Sequence, residues 1–261
     1  MAYAVGLPLA GVMVAPFLYM VGTALMSEPG SLRHPVPENF AAALVAVPFG
    51  RFLVNSVILS LGVVAGQVLT SATAAYAFAR LRFPGRDRVF LGYLGALLVP
   101  AIVLVIPRFL LIDALGWADS YQGLISTELV SVSGIFLLRQ FFRTLPRDLE
   151  DAARLEGAGE WTIFWRVVVP LSRPALGMLA LLGFADQWRS FVWPLAATRS
   201  SAMQPLEVAI ANLQGTNDLS WSYQMATAVA AVIPLMVLYF IAQRWFIRGI
   251  EMTATGNSVP T

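Results

Sequence analysis

The chain has 261 residues, of which 58% are hydrophobic and only 12% charged, and its mean hydropathy is +0.72. Soluble domains carry about 25% charged residues, so there is too little polar surface here to cover a globule in water, and the apolar stretches belong in a bilayer. All 17 basic residues are Arg, cysteine is absent and His34 is the single histidine. This excludes disulfides, thiolate metal sites and histidine-rich metal sites, and the arginines form no face-wide basic patch of the kind nucleic acid needs.

Met1 runs straight into apolar sequence, without the basic region and small-residue cleavage site of a secretory signal, so the first apolar segment reads as a retained span. Six segments are long enough to cross about 30 Å at about 1.5 Å per residue. They are Ala2–Met26, Phe52–Ala79, Val89–Ile112, Gln122–Phe142, Ala175–Ala197 and Gln224–Phe246. The expected fold class is therefore all-α: a polytopic membrane protein of about six transmembrane helices, with residues 1–261 forming one transmembrane domain. Pro16, Pro100, Pro107, Pro194 and Pro234 predict kinks, which membrane helices tolerate when neighbours satisfy the freed backbone. Gly62 and Gly66 stand at GxxxG spacing, and Ala72, Ala74 and Ala75 add small residues that let helices approach.

Arginine placement sets the orientation. Arg80, Arg82, Arg86, Arg88, Arg139, Arg143, Arg147, Arg154, Arg166, Arg173, Arg244 and Arg248 fall on one side; Arg33, Arg51, Arg108 and Arg199 fall on the other, with Arg189 inside span five. Twelve against four puts both termini in the cytoplasm. Two far-side segments, Ser27–Gly50 and Thr198–Tyr223, are long. The amphipathic run Leu206–Leu213 in the second admits two readings, a surface or partner-facing helix and an ordinary packed loop helix.

The cytoplasmic segment Leu145–Pro174 is too apolar for free water and too charged for lipid. Asp148 and Asp151 imitate a capping box, acidic groups near a helix start where the dipole favours them. Ala152 and Ala153 present a nearly bare face beside the charges of Arg154 and Glu156, and Gly157 permits a sharp turn. A second helix over Glu160–Val168 carries Trp161, Phe164 and Trp165, and Pro170 is expected to end it. Two short helices of this kind suit either docking of a partner or packing on the chain's own fold.

The segment resembles the EAA loop of binding-protein-dependent ABC permeases: Glu-Ala-Ala, three residues, Gly, nine residues, Ile-x-Leu-Pro. Here Asp151, Ala152, Ala153, Gly157 and Val167-Val168-Val169-Pro170 keep the spacing, with Asp for Glu (Glu150 precedes it) and valines for Ile and Leu. The likeness extends to carbohydrate-uptake permeases of the maltose and glycerol-phosphate type. It is carried by Phe52-Leu53-Val54-Asn55-Ser56, by Ala75-Tyr76-Ala77-Phe78-Ala79-Arg80-Leu81-Arg82-Phe83-Pro84-Gly85, by Leu137-Leu138-Arg139-Gln140-Phe141-Phe142 and by Arg248-Gly249-Ile250. The resemblance implies an importer permease fold in the plasma membrane of a bacterium or archaeon. It implies a second permease subunit, two ATP-binding cassette subunits and an external solute-binding protein as partners. Asp148, Glu150, Asp151, Ala152, Ala153, Arg154, Gly157, Trp161, Phe164 and Pro170 are then expected to couple to the ATPase. No cofactor is expected on this chain. ATP and Mg would sit on the partner subunits, since a Walker A loop needs a lysine and the chain has none.

Polar groups inside a membrane are functional candidates by default. In span five, Asp186, Trp188, Arg189, Phe191, Trp193 and Pro194 stand where the family usually shows Trp-Asn-acidic-Phe-x-Trp-Pro, with Arg189 and Ser190 departing from it. Aromatic rings suit sugar faces, and a guanidinium suits hydroxyls or an anion. The alternative for Arg189 is an internal ion pair with Asp186 or Glu128. In span four, Glu128 and Ser131 are three apart and expected on one helical face, which together with Gln67, Thr70 and Ser71 of span two serves either substrate or a helix–helix contact. Asn55 is expected to make a helix-start contact, and His34 to be a solvated loop residue. An intramembrane enzyme would need a motif such as HExxH or GxSxG, and neither occurs. A secondary transporter would show duplicated halves, and none is visible.

Overall fold

The computed structural model describes residues 2–26, 35–215 and 220–255, and among these it is helical with no strand. In chain order the helices are α1 (Ala2–Ala24), α2 (Glu38–Ala46), α3 (Phe49–Arg80), α4 (Arg86–Gly95), α5 (Val105–Ala114), α6 (Tyr121–Ser126), α7 (Val132–Thr144), α8 (Asp148–Leu155), α9 (Glu160–Ile163), α10 (Val169–Leu171), α11 (Arg173–Trp188), α12 (Val192–Ala197), α13 (Leu206–Gly215) and α14 (Trp221–Thr255). Three helices are long and apolar enough to cross a bilayer on their own, over Gly6–Ala24, Phe49–Arg80 and Trp221–Ile241. Pro16 and Pro234 lie inside α1 and α14 without ending them.

The third, fourth and fifth expected spans are not single helices. In the third, Arg86–Leu98 and Ala101–Ala114 meet at 94° around Val99 and Pro100. In the fourth, α6 and α7 are separated by Thr127–Ser131. In the fifth, α11 stops at Trp188 and α12 restarts at Val192. Pro194 accounts for the last of these. Its ring would clash with the carbonyl four residues back in a continuous helix, but it costs nothing in the first turn of a new one.

The chain forms two compact units, Met1–Val57 with Thr198–Val237, and Ile58–Ala197 with Leu238–Thr261. In the first, Ala24, Ala43, Met225 and Ala226 make a small core, and Asn39 donates to the carbonyls of Ala24 and Met26 at 2.9 Å each. Asn55 is fully buried within α3, past its first turn, and donates to the carbonyls of Ala202 (2.9 Å) and Gln204 (2.8 Å). It is a tie to the segment before α13 and not a helix-start contact. Leu206, Val208 and Ala209 are buried, so α13 is the packed loop helix of the two readings. Arg33 and His34 lie outside the described residues.

The core of the second unit joins α3, α7, α11 and the loop Leu145–Pro174. Ala72, Ala75, Tyr76 and Ala79 pack with Leu138, Phe142, Ile163, Phe164, Val168, Ala175 and Leu179. Small residues on α3 admit this approach.

Candidate functional site

The coupling loop is built on α3. Arg80, at the end of that helix, forms an ion pair with Glu150 at 2.9 Å, with neither side chain more than 3% exposed. The two groups are close without the alignment of a hydrogen bond. Arg80 also donates to the Leu145 carbonyl at 2.7 Å, just before α8. One turn earlier, the Tyr76 hydroxyl donates to Glu160 at 2.6 Å. Arg154 completes the circuit, donating to Asp151 (2.8 Å) and Glu160 (3.0 Å) and lying 3.5 Å from Glu150. The Arg154 guanidinium, and after it the Tyr76 hydroxyl, hold the Glu160 carboxyl below the ordinary range.

The backbone of the loop differs from expectation at two points. Asp148 and Asp151 form no capping box: the cap position is Arg147, without a side-chain bond, and Asp148, Glu150 and Asp151 fill the first turn of α8. They complement the helix dipole there. Pro170 does not end the second helix. Phe164–Val168 widens into a π-turn, α10 carries Pro170 in its first turn, and the chain bends by 77° only at Ser172. A π-register eases a proline that cannot donate to the carbonyl four residues back. Gly157 behaves as expected: φ is +84°, the Ala158 amide bonds the Ala153 carbonyl (2.9 Å) and the Gly157 amide bonds that of Arg154 (3.0 Å). This is a Schellman ending, which explains why glycine stands four residues after the second alanine.

The loop has two faces. Glu150 (2% exposed) and Phe164 (0%) point into the fold, the latter with its ring 5.2 Å from that of Tyr76. Both are among the residues expected to couple to the ATPase, and their burial makes them anchors of the loop on its own fold. Asp148, Asp151, Ala152 and Glu156 are exposed, Leu155 is 91% exposed and Trp161 66%. Ala153 and Pro170 are half-buried.

The second feature is the set of helix breaks. Glu128 sits in the turn after α6, while Ser131 caps α7 by accepting from the Gly134 amide at 3.1 Å. They therefore do not share a helical face. The freed carbonyls of Glu128 and Leu129 are met from α3 by Gln67 (2.9 Å) and Thr70 (2.7 Å), and Ser71 adds a bond (3.3 Å) to the Ser131 carbonyl, which already accepts the Ile135 amide of α7 (2.9 Å). Of the two readings for those polar residues, the contact is the helix–helix one. It satisfies backbone that lipid cannot. Gly62 and Gly66 make room beneath: a Cβ would lie 2.8 Å from Ile125 and 2.2 Å from Leu129.

Arg108 was expected on the far side with the loop arginines. It lies in α5, bonded to Glu128 and to the Thr127 carbonyl (2.7 Å), with its guanidinium 4.9 Å above the Trp193 ring. Trp193 in turn donates to the Leu124 carbonyl at 3.1 Å. Glu128 is thus matched to Arg108, and Arg189 pairs with neither expected acid. Arg189 is exposed in the α11–α12 break, donating to the Ala185 carbonyl at 3.1 Å. Asp186 is exposed, Phe191 is partly exposed, and Trp188 is buried with its ring 5.5 Å from Phe184. Tyr76, Arg80, Glu160 and Arg108 were missed as site residues. Tyr76 and Arg80 could have been found by their i, i+4 spacing at the arginine-rich end of a span, and Arg108 by its apolar surroundings.

Apolar helices, several of them broken, define a polytopic helical membrane protein. Comparison with known proteins specifies it: the chain belongs to the family described as the binding-protein-dependent transport system inner membrane component, which matches residues 5–252. It is a multi-pass ABC importer permease and not an enzyme. It is 31% identical over 259 residues to the sn-glycerol-3-phosphate transport system permease protein UgpE of Rhizobium meliloti (strain 1021), covering 93% of this chain and 92% of that one. To UgpE of Yersinia pestis bv. Antiqua (strain Antiqua) it is 35% identical over 207 residues, covering 78% and 74%. Its fold is similar to that of a bacterial ABC transporter involved in the import of the acidic polysaccharide alginate, with a TM-score of 0.84 at 23% identity, covering 93% of this chain and 94% of that chain.

Proposed function

We propose that residues 1–261 act as one permease domain, with both termini cytoplasmic, paired with a second permease subunit and served by two ATP-binding cassette subunits and an external solute-binding protein. The observation that carries this is the two-faced loop. Its inner face is locked to α3 through Arg80–Glu150 and Tyr76–Glu160, while Leu155 and Trp161 stay bare on the outside. Exposed apolar groups next to charge suit docking of a protein. ATP binding and release on the partners then drive the loop, and the loop drives alternating access in the spans.

The cargo we propose is a sugar or sugar phosphate. Support comes from the UgpE relatives and from Arg189, an exposed side chain at a helix break, two residues before the exposed Phe191. A guanidinium binds phosphate or hydroxyl oxygens. The test is uptake by proteoliposomes holding the assembled importer and its binding protein, with labelled sn-glycerol 3-phosphate and maltose offered separately. Arg189→Ala is expected to lower uptake of the accepted solute at least about tenfold, the loss of a charge-assisted hydrogen bond. Unchanged uptake would show Arg189 to be structural.

A further inference from the structure

The junction between α7 and α8 is a three-residue non-helical link, Leu145–Arg147, extended at Leu145 and with Pro146 in it. By itself this joint would let the loop swing freely relative to α7. Two ties from α3 span it. Arg80 holds both the Leu145 carbonyl and Glu150, and Tyr76 holds Glu160 on the far side of the Gly157 turn. Tyr76 and Arg80 are four residues apart, so both ties leave one face of α3. Glu150 and Glu160 are themselves linked by Arg154, which ties α8 to α9.

The same helix reaches the helix break. Ser71, Thr70 and Gln67 bond the carbonyls of Ser131, Leu129 and Glu128. Ser71 and Tyr76 are five residues apart, about 7.5 Å along the helix axis. The intervening sequence, Ala72-Thr73-Ala74-Ala75, is alanine-rich and free of Gly and Pro, which favours an unbroken, stiff helix.

We propose that Tyr76 and Arg80 are positioning residues that clamp the coupling loop to α3, so that force on the loop reaches the Glu128–Ser131 break through α3. This rests on the proposed docking of ATPase subunits to the loop. The competing route runs through α7, which joins break and loop covalently and would need no clamp.

Hydrogen–deuterium exchange on the assembled importer separates these, with and without trapping by ATP, Mg and vanadate. In the native complex, trapping is expected to change exchange both in 148–163 and in 126–132. Tyr76→Phe keeps the ring against Phe164 and deletes only the hydroxyl. The paired change Arg80→Met with Glu150→Leu removes the ion pair without stranding either charge. In both variants the loop response is expected to persist while the response of 126–132 falls to about a tenth, the scale of losing a hydrogen bond to a charged group. The swap Arg80→Glu with Glu150→Arg is expected to restore part of it, which a merely structural defect would not. An undiminished response at 126–132 in both variants, or none in the native complex, overturns the clamp. If 148–163 shows no nucleotide response in the native complex, it is the docking that fails.

Discussion

Gly157 shows how a single residue fixes the loop. A Cβ there would meet nothing within 4 Å, so only the backbone angle demands glycine. Gly157→Val should cost about 1–2 kcal/mol through the left-handed conformation alone, while Gly157→Asn should cost less; thermal unfolding of the two variants checks the order. Gly66 is the opposite case, an ordinary helical position with Leu129 in the way. Gly66→Ala should destabilise by about 1–3 kcal/mol by overpacking, readable in the same experiment. Arg108→Ala leaves Glu128 without its partner beside the break. Breaking a buried pair costs about 3–5 kcal/mol, and less is expected here because the side chains are 21% and 19% exposed. Arg108→Met with Glu128→Gln should unfold at a higher temperature than Arg108→Ala; an equal or lower temperature would mean that the pair itself stabilises the break.

At the scale of elements, the loop should hold over a wide pH range. Glu160 has a depressed pKa, so its ties to Arg154 and Tyr76 contribute fully above the ordinary glutamate value and are lost as pH falls through the depressed one. Protection of 148–163 from exchange or proteolysis should therefore be flat above about pH 5 and weaken only below about pH 4. Weakening near neutrality would contradict the pairing. The sequence revealed the apolar segments and the loop because hydropathy and glycine spacing are local properties. The breaks were hidden for a physical reason: Glu128 and Ser131 at three-residue spacing look the same in sequence whether they share a helix or flank a turn. What decides is the set of α3 donors waiting for the free carbonyls, and that set is non-local. Counting arginines reveals nothing of the partners that Arg108 finds, and an aromatic or acid in a charged loop, such as Phe164 or Glu150, does not announce which way it faces. Pro194, by contrast, gave a usable signal, since a mid-span proline predicts a kink and the chain restarts a helix there.

For the whole molecule, the proposed docking has the lysine-free permease take its energy from partner proteins through the exposed face of the loop. The chain has no cysteine, so single cysteines can be placed at will without background labelling. Tyr76, Arg80, the break and the loop all belong to one compact unit, Ile58–Ala197 with Leu238–Thr261, as the proposed clamp requires. The most direct test of the central claim is co-purification of the ATPase subunits with the chain carrying Leu155→Glu and Trp161→Glu together. Both side chains are exposed, so the helical fold should persist by circular dichroism. The account predicts that the ATPase subunits are lost, with ATP-driven uptake lost alongside them. Full retention of the ATPase subunits and of uptake by this variant would contradict it.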